Sequence, residues 1–338
     1  MKFHLPVFLA GAIVVSVYGC KKKDDTSSST TTQTTSQFMS GFKSTSQKFK
    51  LTAGLDQVLI GKQGSIIHFY PNSFKDATGA IISSGTVNIE LIEMYDPGDM
   101  IVNNASTSLT DGKPLESTGQ IYINATGDAG KEVFADKYGI AFKASGPTSK
   151  PMELYYGDRN NADSTVKWNV SKENPGTRSL GARADTLVRN VYVTDPEGTT
   201  TGPRPYTFPG FYHIFDSCTD FKWVNSDHPF VKEAKRIHVN VTVPDMDICN
   251  ASFIAYPEYN SVINTECYLY SPNGVKQLGF SPIYAVKDSK FKFYMLGKKE
   301  DRYYYGEISG TVTSDTLNLN ISMGEETLFN IKARLMAQ

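Results

Sequence analysis

The chain has 338 residues, a formal net charge of −1 and 40% hydrophobic residues. That near-neutral balance argues against nucleic-acid binding, which needs a dense positive surface, while the length is enough for two domains of ordinary size. Aromatic residues make up 12%, with 19 Tyr and 19 Phe, which tilts the expectation from helices towards strands.

Lys2 precedes an apolar run from Leu5 to Val17, interrupted only by Pro6, Gly11 and Ser16. The run is too short to span a bilayer, which takes about 20 apolar residues, and has the make-up of a secretory signal. Val17-Tyr18-Gly19-Cys20 resembles the lipobox read by the lipoprotein signal peptidase. The resemblance implies a signal peptide over 1–19, cleavage before Cys20, and acyl chains on that cysteine that anchor the chain in a membrane. Residues 20–49 are crowded with Ser and Thr and bury too little apolar surface to offset their ordering entropy, so a tether is expected there. Lys21-Lys22-Lys23-Asp24-Asp25 resembles the export signal of surface-exposed Bacteroidetes lipoproteins. It implies display on the outer membrane at the cell surface; a solvated charge cluster and a periplasm-facing protein are the alternative.

From residue 50 onwards the apolar residues alternate with a period of two. Val87, Ile89 and Leu91 form one such stripe; Ile237, Val239, Val241 and Val243 form another, and Leu317, Leu319, Ile321 and Met323 a third. One wet and one apolar face is the pattern of antiparallel sheets packed on one side. Turns are signalled at Asp76–Gly79, Asp111-Gly112, Asp128–Gly130 and Pro272-Asn273-Gly274. Two β-sandwich-like domains are therefore expected, 50–146 and 206–338, joined by a hairpin and long polar linker over 147–205. Met152–Gly157 and Val166–Val170 would make the hairpin. Leu328, Ile331 and Leu335 share a helical face, so 324–335 reads as a short C-terminal helix, with a closing strand as the alternative.

Beyond Cys20 three cysteines remain, Cys218, Cys249 and Cys267. An odd number in an exported chain allows one disulfide plus a free thiol, or none. Their spacing fits no zinc site.

Residues 61–127 contain Gly61-x-x-Gly64, then Ile67-His68-Phe69-Tyr70-Pro71-Asn72-Ser73-Phe74, Asp76-x-x-Gly79 and Gly85-x-Val87-x-Ile89-x-Leu91. Asp99-Met100-Ile101, Thr107 and Leu115–Gln120 follow. This block resembles the domain repeated in uncharacterised Bacteroidetes surface proteins, itself similar to the β domain of ankyrins and netrin receptors. The resemblance implies binding and assembly rather than catalysis. Lys222-Trp223-Val224-Asn225-Ser226-Asp227 is similar to a Gly-Trp-(Ile/Val)-Asn-(Cys)-Asp stretch of the same proteins, without its glycine and cysteine.

No nucleophile elbow, metalloprotease helix, Walker loop or dinucleotide fingerprint occurs, so no catalytic residue and no cofactor is assigned. Asp245-Met246-Asp247 lacks the glycine and terminal glutamate of a calcium loop. The most suggestive polar cluster is His213, Asp216, Asp220, Asp227 and His228, whose residue types suit metal ligation or acid–base work. Turn and cap roles are the competing expectation for its aspartates, as structural roles are for His68 and His238. Glu93, Asp96 and Asp99 flank Pro97-Gly98; as a carboxylate pair they would suit glycoside hydrolysis, and as loop acids they would be solvated. Trp168, Trp223 and Tyr303-Tyr304-Tyr305 are candidate platforms for sugar rings, with at least one of the tyrosines expected in the core. The expected protein is a lipid-anchored binding, adhesion or envelope-assembly module whose partner is a glycan or another envelope protein. The alternative is an extracellular polymer-degrading enzyme with carboxylates from separate loops.

Overall fold

The computed structural model describes residues 34–159, 165–171, 178–229, 234–243, 249–270 and 277–337. The signal peptide, Cys20, the tether as far as residue 33, Asp245, Asp247 and the Pro272-Asn273-Gly274 turn lie outside the described residues.

Residues 34–49, expected as tether, are folded. Helix α1 (Thr35–Ser40) opens on a reciprocal cap in which Thr34 Oγ1 accepts from the Gln37 N–H and Gln37 Oε1 accepts from the Thr34 N–H. It buries Phe38 and Met39, and Phe42 follows them into the core. Three large apolar side chains outweigh the Ser/Thr composition because folded surfaces from later in the chain are there to receive them.

The first sandwich is built from β1 (Gln47–Thr52), β2 (Gln57–Ile60), β3 (Ile66–Phe69), β4 (Phe74–Lys75), β5 (Thr86–Met94), helix α2 (Pro97–Val102), β6 (Leu115–Thr126), β7 (Glu132–Ala135) and β8 (Tyr138–Lys143). It continues through β9 (Met152–Arg159), β10 (Val166–Val170), β11 (Arg178–Ser179), β12 (Leu187–Thr194), β13 (Thr200–Thr207), β14 (Tyr212–Cys218) and β15 (Lys222–Pro229). One sheet runs β1-β5-β6-β15-β9-β10 and the other β13-β12-β2-β3-β8-β14. Leu51, Ile89, Ile121, Phe69, Tyr138 and Phe215 belong to the apolar core that both sheets supply.

The second sandwich comprises β16 (Lys235–Thr242), β17 (Ala251–Tyr256), β18 (Ser261–Asn264), β19 (Cys267–Tyr270), β20 (Gln277–Phe280), β21 (Ile283–Ala285), β22 (Lys290–Lys299), β23 (Arg302–Thr311), β24 (Thr316–Asn320), β25 (Gly324–Glu326) and helix α3 (Leu328–Met336). Sheet β18-β17-β22-β23-β25 and sheet β21-β16-β24 share a core that includes Ile237, Val239, Phe293, Met295, Leu317 and Leu319. Alternating burial along β16 and β24 follows the sequence period. Two pairs, β16 with β24 and β12 with β2, run parallel, whereas the alternation suggested antiparallel sheets throughout.

The division into sandwiches falls between β15 and β16, not near residue 206. β14 pairs with β8 and β15 pairs with both β6 and β9, so the stretch read as linker and the first strands beyond it complete the first sandwich. The misleading Gly/Pro richness has a physical cause. Pro203 and Pro205 sit in β13, an exposed edge strand where a missing N–H costs no ladder bond, and the β12–β13 pairing carries register shifts. The hairpin expected over 152–170 forms, with Trp168 opposite Gly157. At the C-terminus both readings of the sequence are realised, a short β25 and then α3, with Thr327 capping the helix through the Asn330 N–H.

A third apolar cluster joins the two sandwiches. Phe38, Ile101, Trp168, Phe253, Tyr294 and Ile331 are among its members, drawn from both lobes and all three helices. The described residues form one compact unit. No helix among the described residues is long and apolar enough to cross a membrane.

Candidate functional site

Glu93, Asp96 and Asp99 are not three solvated loop acids. Glu93 is 4% exposed and its carboxylate accepts from Gln47 Nε2 (2.9 Å), the Gln63 N–H (2.8 Å) and the Ser65 N–H (2.8 Å). It thereby clamps the Gly61–Ser65 turn between β2 and β3. Gly61 is needed there: a Cβ would come within 2.4 Å of Glu93 Cδ. Asp99 in α2 accepts from Gln63 Nε2 at 2.9 Å, and burial raises its pKa. Only Asp96 is exposed. Glu93 is committed to two backbone N–H groups and the Gln47 side chain, and Asp99 to the Gln63 side chain, which does not fit the hydrolytic pair considered above.

His213, Asp216, Asp220, Asp227 and His228 do not converge. Asp216 and Asp220 are exposed, and their backbone carbonyls accept from Tyr70 and Tyr138 hydroxyls. His213 is buried beside Ser179, whose hydroxyl lies 3.2 Å from Nδ1, and burial lowers its pKa to about 4. Asp227 is fully buried on β15, where desolvation pushes its carboxyl far above the usual range; Asn225 Nδ2 donates to Oδ2 at 2.5 Å while Oδ1 has no hydrogen-bond partner. Among the described residues no group of three His, Cys, Asp or Glu is placed to hold a metal. His68 pairs with Asp56 at 2.5 Å, and His238 points outwards from β16.

The two motif stretches quoted above, roughly 100 residues apart, are neighbours. Glu116–Gln120 on β6 and Asn225–His228 on β15 are antiparallel partners around a bulge at Thr118. Ser117 Oγ donates to Asn225 Oδ1 (3.1 Å), and Thr118 Oγ1 donates to Ser226 Oγ (2.7 Å). Gly119 adopts φ 149°, and a Cβ there would lie 2.7 Å from the Tyr95 ring. Strand pairing and packing account for Ser117, Thr118, Gly119, Asn225 and Ser226 here, but not for Asp227 or His228, each of which keeps a buried polar atom without a partner among the described residues.

Of the candidate sugar platforms, Trp168 and Tyr305 are core, whereas Trp223, Tyr303 and Tyr304 are half-buried. Trp168 is wholly buried and donates to the Ser106 carbonyl at 2.5 Å. Tyr305 is buried, with its hydroxyl donating to Glu307 at 2.7 Å, and Tyr303 rests against Phe38 and Phe42. Trp223 is half-buried between Tyr122, 5.0 Å away, and the Arg159 guanidinium, 4.4 Å above its ring. Cys249 and Cys267 form the disulfide, and Cys218 is the buried free thiol, which burial keeps protonated.

The concave feature is one that the sequence did not announce. An open cleft of about 960 Å³ lies where the two sandwiches meet. The first contributes Tyr95, Glu116 and Lys150, and the second Glu258, Asn260 and Lys292. Lys150 and Glu116 are ion-paired. The Tyr95 hydroxyl is fixed by Ser65 Oγ (2.9 Å) and the Lys143 N–H (3.1 Å). Asn260, left-handed at φ 46°, donates through Nδ2 to the Tyr95 and Ser117 carbonyls at 2.8 and 3.1 Å, bracing one lobe against the other. The only hint in the sequence was Pro257-Glu258-Tyr259-Asn260, a turn signal with Asn tolerant of positive φ. Comparison of the chain with family models, with curated proteins and with solved structures gave no match.

Proposed function

We propose that the protein is a lipoprotein of the cell envelope, anchored through Cys20 and displayed at the outer membrane, whose folded part is a binding module for a glycan or another envelope protein. The observation that carries the binding half of this reading is the interlobe cleft. Its walls hold carboxylates, ammonium groups and a tyrosine together, set on strands and braced by Asn260. Such a surface suits a polar, extended ligand better than a small apolar one. The lipobox supports the anchoring half.

The first test compares wild type with Cys20→Ala in the native host by metabolic acyl labelling and protease treatment of intact cells. Labelling that depends on Cys20, with loss of the folded part to external protease, supports a surface module; labelling with full protection moves it to the periplasm. No labelling overturns the anchor. Binding is then read on immobilised glycans and envelope proteins, with Lys292→Glu expected to abolish it. The exposed acids Asp96 and Glu258, together with Glu116 at the same cleft, favour one competing reading, hydrolysis of a polysaccharide. Release of reducing ends that Glu258→Gln abolishes would replace the binding module with an enzyme.

A further inference from the structure

Helix α3 buries Ile331 and Leu335 in the shared cluster and turns other apolar residues outwards. Phe329 is 80% exposed and Met336 47%, seven residues apart with exposed Ala333 between them. That spacing places all three on one side of the helix. A phenylalanine this open is costly in water, and nothing in the packing of α3 calls for it.

Its location gives it a meaning. The described chain starts at Thr34, and α1, about 9 Å long, leads to Gly41, where a Cβ would stand 3.5 Å from Leu328 Cδ2 of α3. Lys332 Nζ donates to the Lys43 carbonyl at 3.0 Å, tying α3 to the segment that follows α1. Between Cys20 and Thr34 stand residues 21–33, which reach at most about 45 Å at full extension. Helix α3, although last in the sequence, is thus packed on the first described segment after the proposed acyl anchor. Lys332, three residues after Phe329, and exposed Lys43, whose carbonyl it bonds, can stay at headgroup level while their stems cover apolar surface; Arg334 is turned to Glu326 and the Tyr305 ring instead.

We propose that this face of α3 is a membrane-contact surface: Phe329 and Met336 enter the interface of the bilayer that holds the acyl chains. The inference rests on the lipid anchor of the preceding section. Two side chains are too few to hold a protein on a membrane from solution. A short tether changes this by making the contact intramolecular, at an effective concentration on the order of millimolar. The contact sets which way the cleft faces.

The test uses acylated full-length protein carrying Phe329→Trp in phospholipid vesicles, with wild type as the background and Leu180→Trp as the same reporter on the first lobe, where Leu180 is 84% exposed. Vesicle flotation reports the anchor; fluorescence reports the contact. Expected are a blue shift at position 329 and loss of that emission when the acyl chains are brominated, with no change at position 180. Flotation with a water-like spectrum at 329 overturns the contact and leaves the anchor standing, and equal quenching at both positions overturns it too. A blue shift that grows with protein concentration in unacylated Cys20→Ala protein assigns the face to a second copy instead. Failure to float refutes the anchor, and the contact with it.

Discussion

Glu93 offers the sharpest test of how this fold is held. Glu93→Ala removes three hydrogen bonds accepted by a buried carboxylate and leaves the Gln63 and Ser65 N–H groups without their acceptor. Bonds to a charged group contribute about 1.5–3 kcal/mol each. Relief of the carboxylate's own desolvation offsets part of that loss, leaving a net cost of about 3–5 kcal/mol. Glu93→Gln keeps the volume and one acceptor oxygen but turns an amide NH₂ towards a donor, and should cost about 2 kcal/mol. Urea denaturation of the purified proteins, followed by far-UV circular dichroism, measures both. Gly61 adds an internal check through a double-mutant cycle. Gly61→Ala forces a Cβ to 2.4 Å from Glu93 Cδ, so it should be strongly destabilising in wild type and much milder beside Glu93→Ala. If both Glu93 variants fall within about 0.5 kcal/mol of wild type, or if Gly61→Ala costs the same in both backgrounds, the clamp is not what holds this turn.

Gly157 faces Val166 Cγ1, Trp168 Cζ3 and Trp223 Cβ at 2.4, 2.8 and 2.9 Å from where a Cβ would stand. Gly157→Ala should therefore overpack the sheet and cost about 1–3 kcal/mol, read from the urea midpoint. Replacing Cys249 and Cys267 together by Ser opens a loop with a sequence separation of 18 and should cost about 3 kcal/mol. In the native protein Cys218 should stay inert to a thiol reagent until denaturant is added, since it is buried and protonated. His213 binds its proton near pH 4 in the fold and near its ordinary 6.5 when unfolded. The unfolded chain therefore holds more protons between those values, and this group's share of stability, up to about 3 kcal/mol, is complete above pH 6.5 and lost as pH falls towards 4. Buried Asp99 and Asp227, whose pKa values burial raises, act in the opposite sense, favouring the fold as pH falls towards the ordinary carboxylate value. The difference between wild type and His213→Gln isolates the histidine; a difference independent of pH would refute its assignment as a buried neutral base.

Local patterning was legible wherever one face of one strand decides burial. The stripes through Val87, Ile237 and Leu317 are strands with that face inwards, and Leu328, Ile331 and Leu335 mark a helix, because a period of two or 3.6 records burial without reference to any partner. The three later cysteines limited the chain to one bridge at most, and tertiary structure chose Cys249 with Cys267. Partnership is what sequence period does not carry. That Ser117 meets Asn225, that β14 returns to β8, and that Phe38 finds a core at all are decided by contacts between distant segments. The same reason separates Glu93 from an ordinary loop acid. Its neighbours Gln47, Gln63 and Ser65 come from another strand and another turn, and only their convergence makes a buried carboxylate tolerable. The cleft, too, exists only because two sandwiches share a third core and leave a gap at its edge.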